Sequence, residues 1–192
     1  VFAHGALCMG YSGQCYMSAM IGGRSGNRGR CAQPCRQSYG YGRWEDKHPL
    51  SLKDNCLIQY LKDMEQMGVA SIKLEGRMKR PEYVAIVTGI YSRALRENRE
   101  PTAEELQQLE QVFSRQGFTQ GYYLGQTGSH MFGVHQDGAD DKELFAAARA
   151  TYERGENPRV PVKFYAMIRA GEESQLAVED EQGHACKTIG PV

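Results

Sequence analysis

No surplus of either charge sign runs through this sequence: 23 Lys and Arg face 23 Asp and Glu. A globally basic shell that would draw the chain to nucleic acid or a membrane surface is thereby excluded. Long apolar runs are missing too, and none approaches the ~20 residues that a membrane-spanning helix needs. The start lacks a basic segment followed by an apolar core, so no secretory leader is legible and a cytoplasmic setting is expected. An initiator Met is also lacking. The chain opens on Val1-Phe2-Ala3-His4 and closes on Gly190-Pro191-Val192, which reads as a piece cut from a longer polypeptide. No His-x-x-x-His pair and no Gly-x-Ser-x-Gly elbow occurs, which removes the zincin and α/β-hydrolase readings. Residues 1–50 lack any sustained helical or strand period. A loop of that length is functional or disordered, here with one short helix near Met17 to Ile21.

What this loop does contain is cysteine. Of the six cysteines, Cys8, Cys15, Cys31, Cys35 and Cys56 fall in the first 56 residues, and Cys186 stands apart. Clustering without a leader points to metal or redox chemistry ahead of disulfides. A zinc site usually pairs two short Cys-x(2–4)-Cys knuckles, and only "CAQPC" fits that form. The wider, irregular spacing of Cys8 and Cys15 suits an iron–sulfur cluster better. Any single one of these thiols can also be a small buried hydrophobe, though that is a poor account of all five. The identity of a metal stays open on spacing alone.

Two basic features accompany the thiols. Arg24, Arg28, Arg30, Arg36 and Arg43 precede the first acid of the chain, Glu45. Guanidinium groups grip phosphates and carboxylates bidentately, and a solvated loop is the plainer alternative. In "KLEGRMKRPEY", Glu75, Gly76 and Arg77 fall where a strand ends and a helix approaches. Ligands bind at that edge in α/β folds. Arg77, Lys79 and Arg80 supply cations there, or are simply snorkelling surface side chains.

The remaining patterns predict elements. Residues 51–67 read as a helix, with Ser51 and Asp54 as its capping pair, Leu57, Ile58, Leu61, Met64 and Met67 on its face, and Gly68 as its stop. Val69 to Gly76 reads as a strand. Pro81 opens a helix whose stripe is Tyr83, Val87, Ile90 and Ala94, widened by Val84, Ile86, Tyr91 and Leu95. Thr102 and Glu105 form a capping box for another helix carrying Leu106, Leu109, Val112 and Phe113. From Arg159 onward, short strand-like segments alternate with Gly-containing turns. The wiring is α/β, with 1–135 as a cysteine-rich loop plus closing β/α units, 136–158 as a linker with a helical stretch, and 159–192 as the start of a small β domain.

Several of these blocks resemble one family. In "FAHGALCMGYSGQCYMS", the residues Phe2, Gly5, Ala6, Leu7, Cys8, Gly13, Cys15 and Ser18 match the signature of the collagenase-like peptidases, the U32 peptidase family. "NRGRCAQPCR", "SLKDNCLIQYL", "SIKLEGRMKRPEYVA" and "GFTQGYYLG" match its following blocks, over about residues 1–135. The resemblance implies the C-terminal portion of a TIM-like barrel followed by the start of a small β domain. The missing barrel of the same polypeptide becomes the expected partner. Better-understood members are oxygen-independent hydroxylases with a 4Fe-4S cluster, some acting on tRNA uridine or a ribosomal RNA cytidine and drawing on prephenate. By motif, the resemblance implies Cys8, Cys15, Cys31 and Cys56 as cluster ligands, with Cys35 as the alternative. Arg24, Arg28, Arg30, Arg36, Glu75, Arg77 and Lys79 would then meet RNA phosphate or a carboxylate donor. The rival expectation is a collagenase-like protease with a thiolate nucleophile, for which His4 is the sole nearby base in sequence. A zinc-stapled binding module is a third.

Overall fold

The computed structural model describes residues 1–11, 14–77, 79–135, 142–153 and 161–191. The chain divides into two units, Val1–Glu153 and Arg154–Val192. The first is built on a four-stranded sheet. β1 (Phe2–Ala6) runs between β5 (Lys73–Leu74) and β4 (Asp54–Cys56), and β6 (Phe118–Thr119) closes the far edge. β1 is parallel to β5 and antiparallel to β4, with His4 opposite Cys56 and Ala6 opposite Asp54. β4 is parallel to β6, with Asp54 opposite Phe118. These directions have one consequence for the site. The end of β1, the end of β5, the start of β4 and the start of β6 all lie at the same edge of the sheet.

Helices cover the sheet. α1 (Met17–Gly22) falls where the short helix was expected, and Gly23 ends it at φ 65°. The hairpin of β2 (Tyr39–Tyr41) and β3 (Trp44–Lys47) follows. α2 (Leu61–Gln66) comes after a 3-10 turn at Ile58–Tyr60. α3 (Pro81–Arg96) buries Tyr83, Ile86, Val87, Ile90, Tyr91 and Ala94, while Val84 and Leu95 of the expected stripe stay exposed. Each large apolar side chain sunk in this way contributes roughly 1.5–3 kcal/mol. α4 (Ala103–Val112) starts on the Thr102–Glu105 capping box and packs on α3. The short α5 (Gly121–Leu124) follows β6, and α6 (Lys142–Glu153) also packs on α3, where Arg149 pairs with Glu82.

Two expectations are corrected. Residues 51–67 are not one helix: Asp54, Asn55 and Cys56 form β4, and only 61–66 are α-helical. All three residues of β4 are buried, which a helix with one apolar face cannot do and a strand covered on both faces can. Ser51 and Asp54 therefore cap nothing; Ser51 Oγ donates to the Gly133 carbonyl, and Asp54 pairs with Arg115. The strand over 69–76 shrinks to Lys73–Leu74, prolonged by single bonds from Lys73 N–H to Val1 O and from Glu75 N–H to His4 O.

The second unit is an antiparallel meander of β7 (Val162–Met167), β8 (Gln175–Asp180) and β9 (Ala185–Ile189). Among the described residues, no helix is long and apolar enough to cross a membrane. The fold class is mixed α/β with a separate antiparallel sheet.

Candidate functional site

Where β1 ends, the backbone enters the first cysteine loop, and three turns press together there. The Ser18 hydroxyl on α1 accepts the Ala32 N–H at 2.9 Å, tying the helix to the Cys31 segment. A side chain at Gly10 would stand 3.3 Å from Cys15 Cβ, and one at Gly26 would stand 3.7 Å from Cys31 Cβ. The Cys31 sulfur accepts the Gln33 N–H. Cys35 sits in the 3-10 turn Pro34–Arg36. Cys8 and Cys15 are exposed, and Cys31 and Cys35 are half-buried. Burial pushes the Cys35 thiol up, Arg36 opposes this, and Cys8, Cys31 and Cys15 each push it up further. One thiol thus feels the other three. Among the described residues, however, no three His, Cys, Asp or Glu side chains are arranged to hold a metal ion. In number and kind the thiols fit a four-thiolate centre; their present spacing does not close one.

Cys56 stands elsewhere. It is buried on β4, its sulfur 3.8 Å from the Tyr91 hydroxyl, and burial raises its thiol. Cys35, not Cys56, is the thiol that senses Cys8, Cys15 and Cys31.

The basic residues separate into two kinds. Arg24, Arg28 and Arg30 are exposed, and Arg24 Nε donates to the Arg30 carbonyl. Arg77, also exposed, lays its guanidinium 3.3 Å from the point where a Gly29 Cβ would be, so it reaches the same loop. Arg36 instead turns inward. It donates to the carbonyls of Leu7 and Leu52 and to Ser51 Oγ, holding the start of the cysteine loop against the start of β4. Burial lowers its pKa, as does Arg115. Glu75 is occupied locally: it accepts the Arg77 N–H and pairs with Lys73, and these bonds outweigh partial burial to hold its carboxyl below the usual range.

Behind the cysteine loop, at the same sheet edge, lies a second polar group. Asp54 is 1 % exposed; its Oδ2 accepts from Arg115, and its Oδ1 has no hydrogen-bond partner. Lys79 stands over the rings of Phe113 and Tyr83. Burial, with Arg115 and Arg36 nearby, brings its amine down to about 7, against the pull of Asp54. His4 is fully buried among Tyr83, Tyr91 and Phe118, its pKa lowered to about 4 by burial and then by Lys79. Its hydrogen bond goes to Tyr91, not to a thiol. Sequence reading singled out Lys79 and His4 and missed Asp54 and Arg115 as site residues. The two lie 61 positions apart in the chain, so no local spacing announces their pairing.

The blocks that shape this edge are shared with known proteins. The model of peptidase family U32 matches residues 1–132, and the chain belongs to that family. It is 41% identical over 138 residues to a collagenase of Porphyromonas gingivalis, covering 66% of this chain and 38% of that protein. It is 35% identical over 154 residues to a tRNA hydroxylation protein of Bacillus subtilis, covering 70% and 36%. A 23S rRNA 5-hydroxycytidine synthase of Escherichia coli is 47% identical over 100 residues, covering 49% and 15%. The chain therefore spans well under half the length of these relatives. No solved structure matches it.

Proposed function

We propose that this chain is the thiol-bearing portion of an iron–sulfur-dependent RNA hydroxylase of the U32 family, with Cys8, Cys15, Cys31 and Cys35 as the four ligands of a 4Fe-4S cluster. The observation that carries the reading is the gathering of Cys8, Cys15 and Cys31 around the half-buried Cys35 thiol, which is pushed up by its burial first and by each of the other three after that. Four thiolates are the ordinary ligand set of such a cluster, which supplies one-electron chemistry when bound. Arg36 supports the cradle from behind by fixing Leu7 to Leu52. Arg24, Arg28, Arg30 and Arg77 offer an exposed cationic rim beside it, suited to RNA phosphates. The relatives named for tRNA and rRNA hydroxylation support RNA as the substrate class. A TIM-like barrel contributed by the rest of a longer polypeptide, and a hydroxyl donor such as prephenate, belong to the same proposal.

The protease reading has the collagenase relatives behind it. The base it was expected to use, His4, is enclosed and bonded to Tyr91 rather than to a thiol. The discriminating experiment is anaerobic purification of the full-length protein, with iron, sulfide and visible absorption measured. Wild type and Cys56→Ala are expected to carry about four irons, and Cys35→Ala to lose most of them. A colourless, iron-free wild type would sink the proposal, and zinc in its place would point to a stapled binding module.

A further inference from the structure

Among the described residues, two buried side-chain atoms have no hydrogen-bond partner, His4 Nε2 and Asp54 Oδ1. The Tyr91 hydroxyl donates to the Ala3 carbonyl at 3.2 Å, which uses its single proton. The 3.3 Å contact between Tyr91 and His4 Nδ1 then has the imidazole N–H as donor. In that tautomer His4 Nε2 is a bare lone pair, and it is one of the two buried side-chain atoms left without a partner among the described residues. The other is Asp54 Oδ1, whose sister oxygen is held by Arg115. On an antiparallel pair with His4 opposite Cys56 and Ala6 opposite Asp54, His4 and Asp54 are diagonal neighbours on one face. Burying such acceptors unbonded is costly, so a donor is missing.

A flexible donor stands beside them in Lys79, which shares the Tyr83 ring with His4. Its ammonium would carry three N–H groups. It feels Asp54, and His4 feels it, so it stands within electrostatic reach of both acceptors. Yet it rests on the Phe113 ring, which Arg115 also touches. The groups around it come from every adjoining segment: His4 from β1, Arg36 from the cysteine turns, Asp54 from β4, Tyr83 from α3, and Arg115 ahead of β6. Two of these are fixed cations that disfavour a third, and one is a carboxylate that favours it.

We propose that Lys79 is the proton-transfer residue of this edge, with Asp54 Oδ1 and His4 Nε2 as the acceptors that hold its charged form. The neutral amine rests on the aromatic shelf of Phe113 and Tyr83. It takes a proton from the substrate: the substrate's bond to hydrogen breaks, the electron pair stays on the substrate, and an N–H bond forms on Nζ. The ammonium then settles on the two bare acceptors and returns its proton to water. No electron is gained or lost. Installing a hydroxyl on a base carbon displaces the hydrogen already there, and Lys79 is the acceptor for that proton. Only this last assignment rests on the RNA-hydroxylase reading; the two-position amine does not. The amine's position near neutrality agrees with the role, since a base works best when its pKa matches the operating pH.

The test begins without any substitution. Competitive acetylation of the full chain across pH, read by peptide mass spectrometry, gives the midpoint of each lysine. Lys79 is expected near 7, while ordinary lysines titrate near ~10.4. A Lys79 that tracks the others overturns the proposal. Asp54→Asn removes the charge that raises the amine, so its midpoint is expected to fall further; an unchanged midpoint in a folded variant counts against Asp54 as the acceptor. In the full-length enzyme, Lys79→Ala is expected to lower RNA modification about 100-fold with iron content and RNA affinity unchanged. Added primary amines should restore part of the rate in a pH-dependent way. Full activity of the Ala variant, or no rescue, overturns the catalytic role. A wild type without iron defeats the RNA-hydroxylase reading instead, and the acetylation midpoint still decides for or against the amine.

Discussion

At Gly5 the backbone takes φ +122°, a region closed to most side chains, and a Cβ there would stand 2.8 Å from both Cβ and O of Glu75. Strain and overlap act together, because β1 and β5 are parallel neighbours and cannot part without losing the Glu75 N–H bond to His4 O. Gly5→Ala is expected to destabilise the chain by about 2–4 kcal/mol in urea unfolding; a loss under 1 kcal/mol would show that the two strands can part freely. Glycine was legible here as a loop enabler, but its reason was not. Gly76 likewise reads as a turn, whereas a side chain there would meet Val84 Cγ2 of α3 at 2.9 Å. Close approach between segments distant in sequence leaves no periodic trace. The same limit applies to the thiols. Their clustering was visible in the sequence, but the burial of Cys56 on β4, against the half-exposed position of Cys35, was not.

Among the elements, α4 has the most fully specified start. Thr102 Oγ1 accepts the Glu105 N–H at 3.1 Å, and Glu105 returns a bond to the Thr102 N–H at 3.0 Å. Glu105 also receives Arg99 and Arg93, which ties the cap to the end of α3. Thr102→Ala should cost about 1 kcal/mol in urea unfolding, and Thr102→Ser much less; equal losses for both would show that the methyl group, not the hydroxyl, matters. This cap and the Pro81 start of α3 were legible because their partners lie within four residues. The 51–67 segment was misread because its pairing is distant. Leu57, Ile58, Leu61 and Met64 do keep helical spacing and are buried. Ahead of them, Asp54 to Cys56 are claimed by β1 on one side and β6 on the other. Sheet hydrogen bonding decides the matter for a segment whose local propensity is indifferent.

For the first unit as a whole, the same burial that frames the site sets its response to acid. His4 lies at the centre of the apolar cluster, and its folded pKa is lowered from 6.5 to about 4 by burial first and Lys79 second. In the unfolded chain it protonates normally. Between those two values the unfolded state binds more protons, so stability is whole above pH 6.5, declines as pH falls, and loses no more from this group below about 4. The full loss is on the order of 3 kcal/mol. Lys79 works in the same direction in a separate window, between about 7 and 10.5, where rising pH relieves the cost of its burial. Glu105, held down to about 2 chiefly by Arg99, adds a third decline below 4.5. His4→Gln keeps a polar group on β1 and removes the titration. Urea unfolding at half-unit steps from pH 7.5 to 3.5 should show the limb between 6.5 and 4 in wild type and its flattening in the variant, with the steeper loss below 4.5 retained by both. Parallel curves throughout would mean that His4 is protonated in the folded protein, and that Nε2 is a donor with a partner rather than the bare acceptor on which the two-position lysine depends.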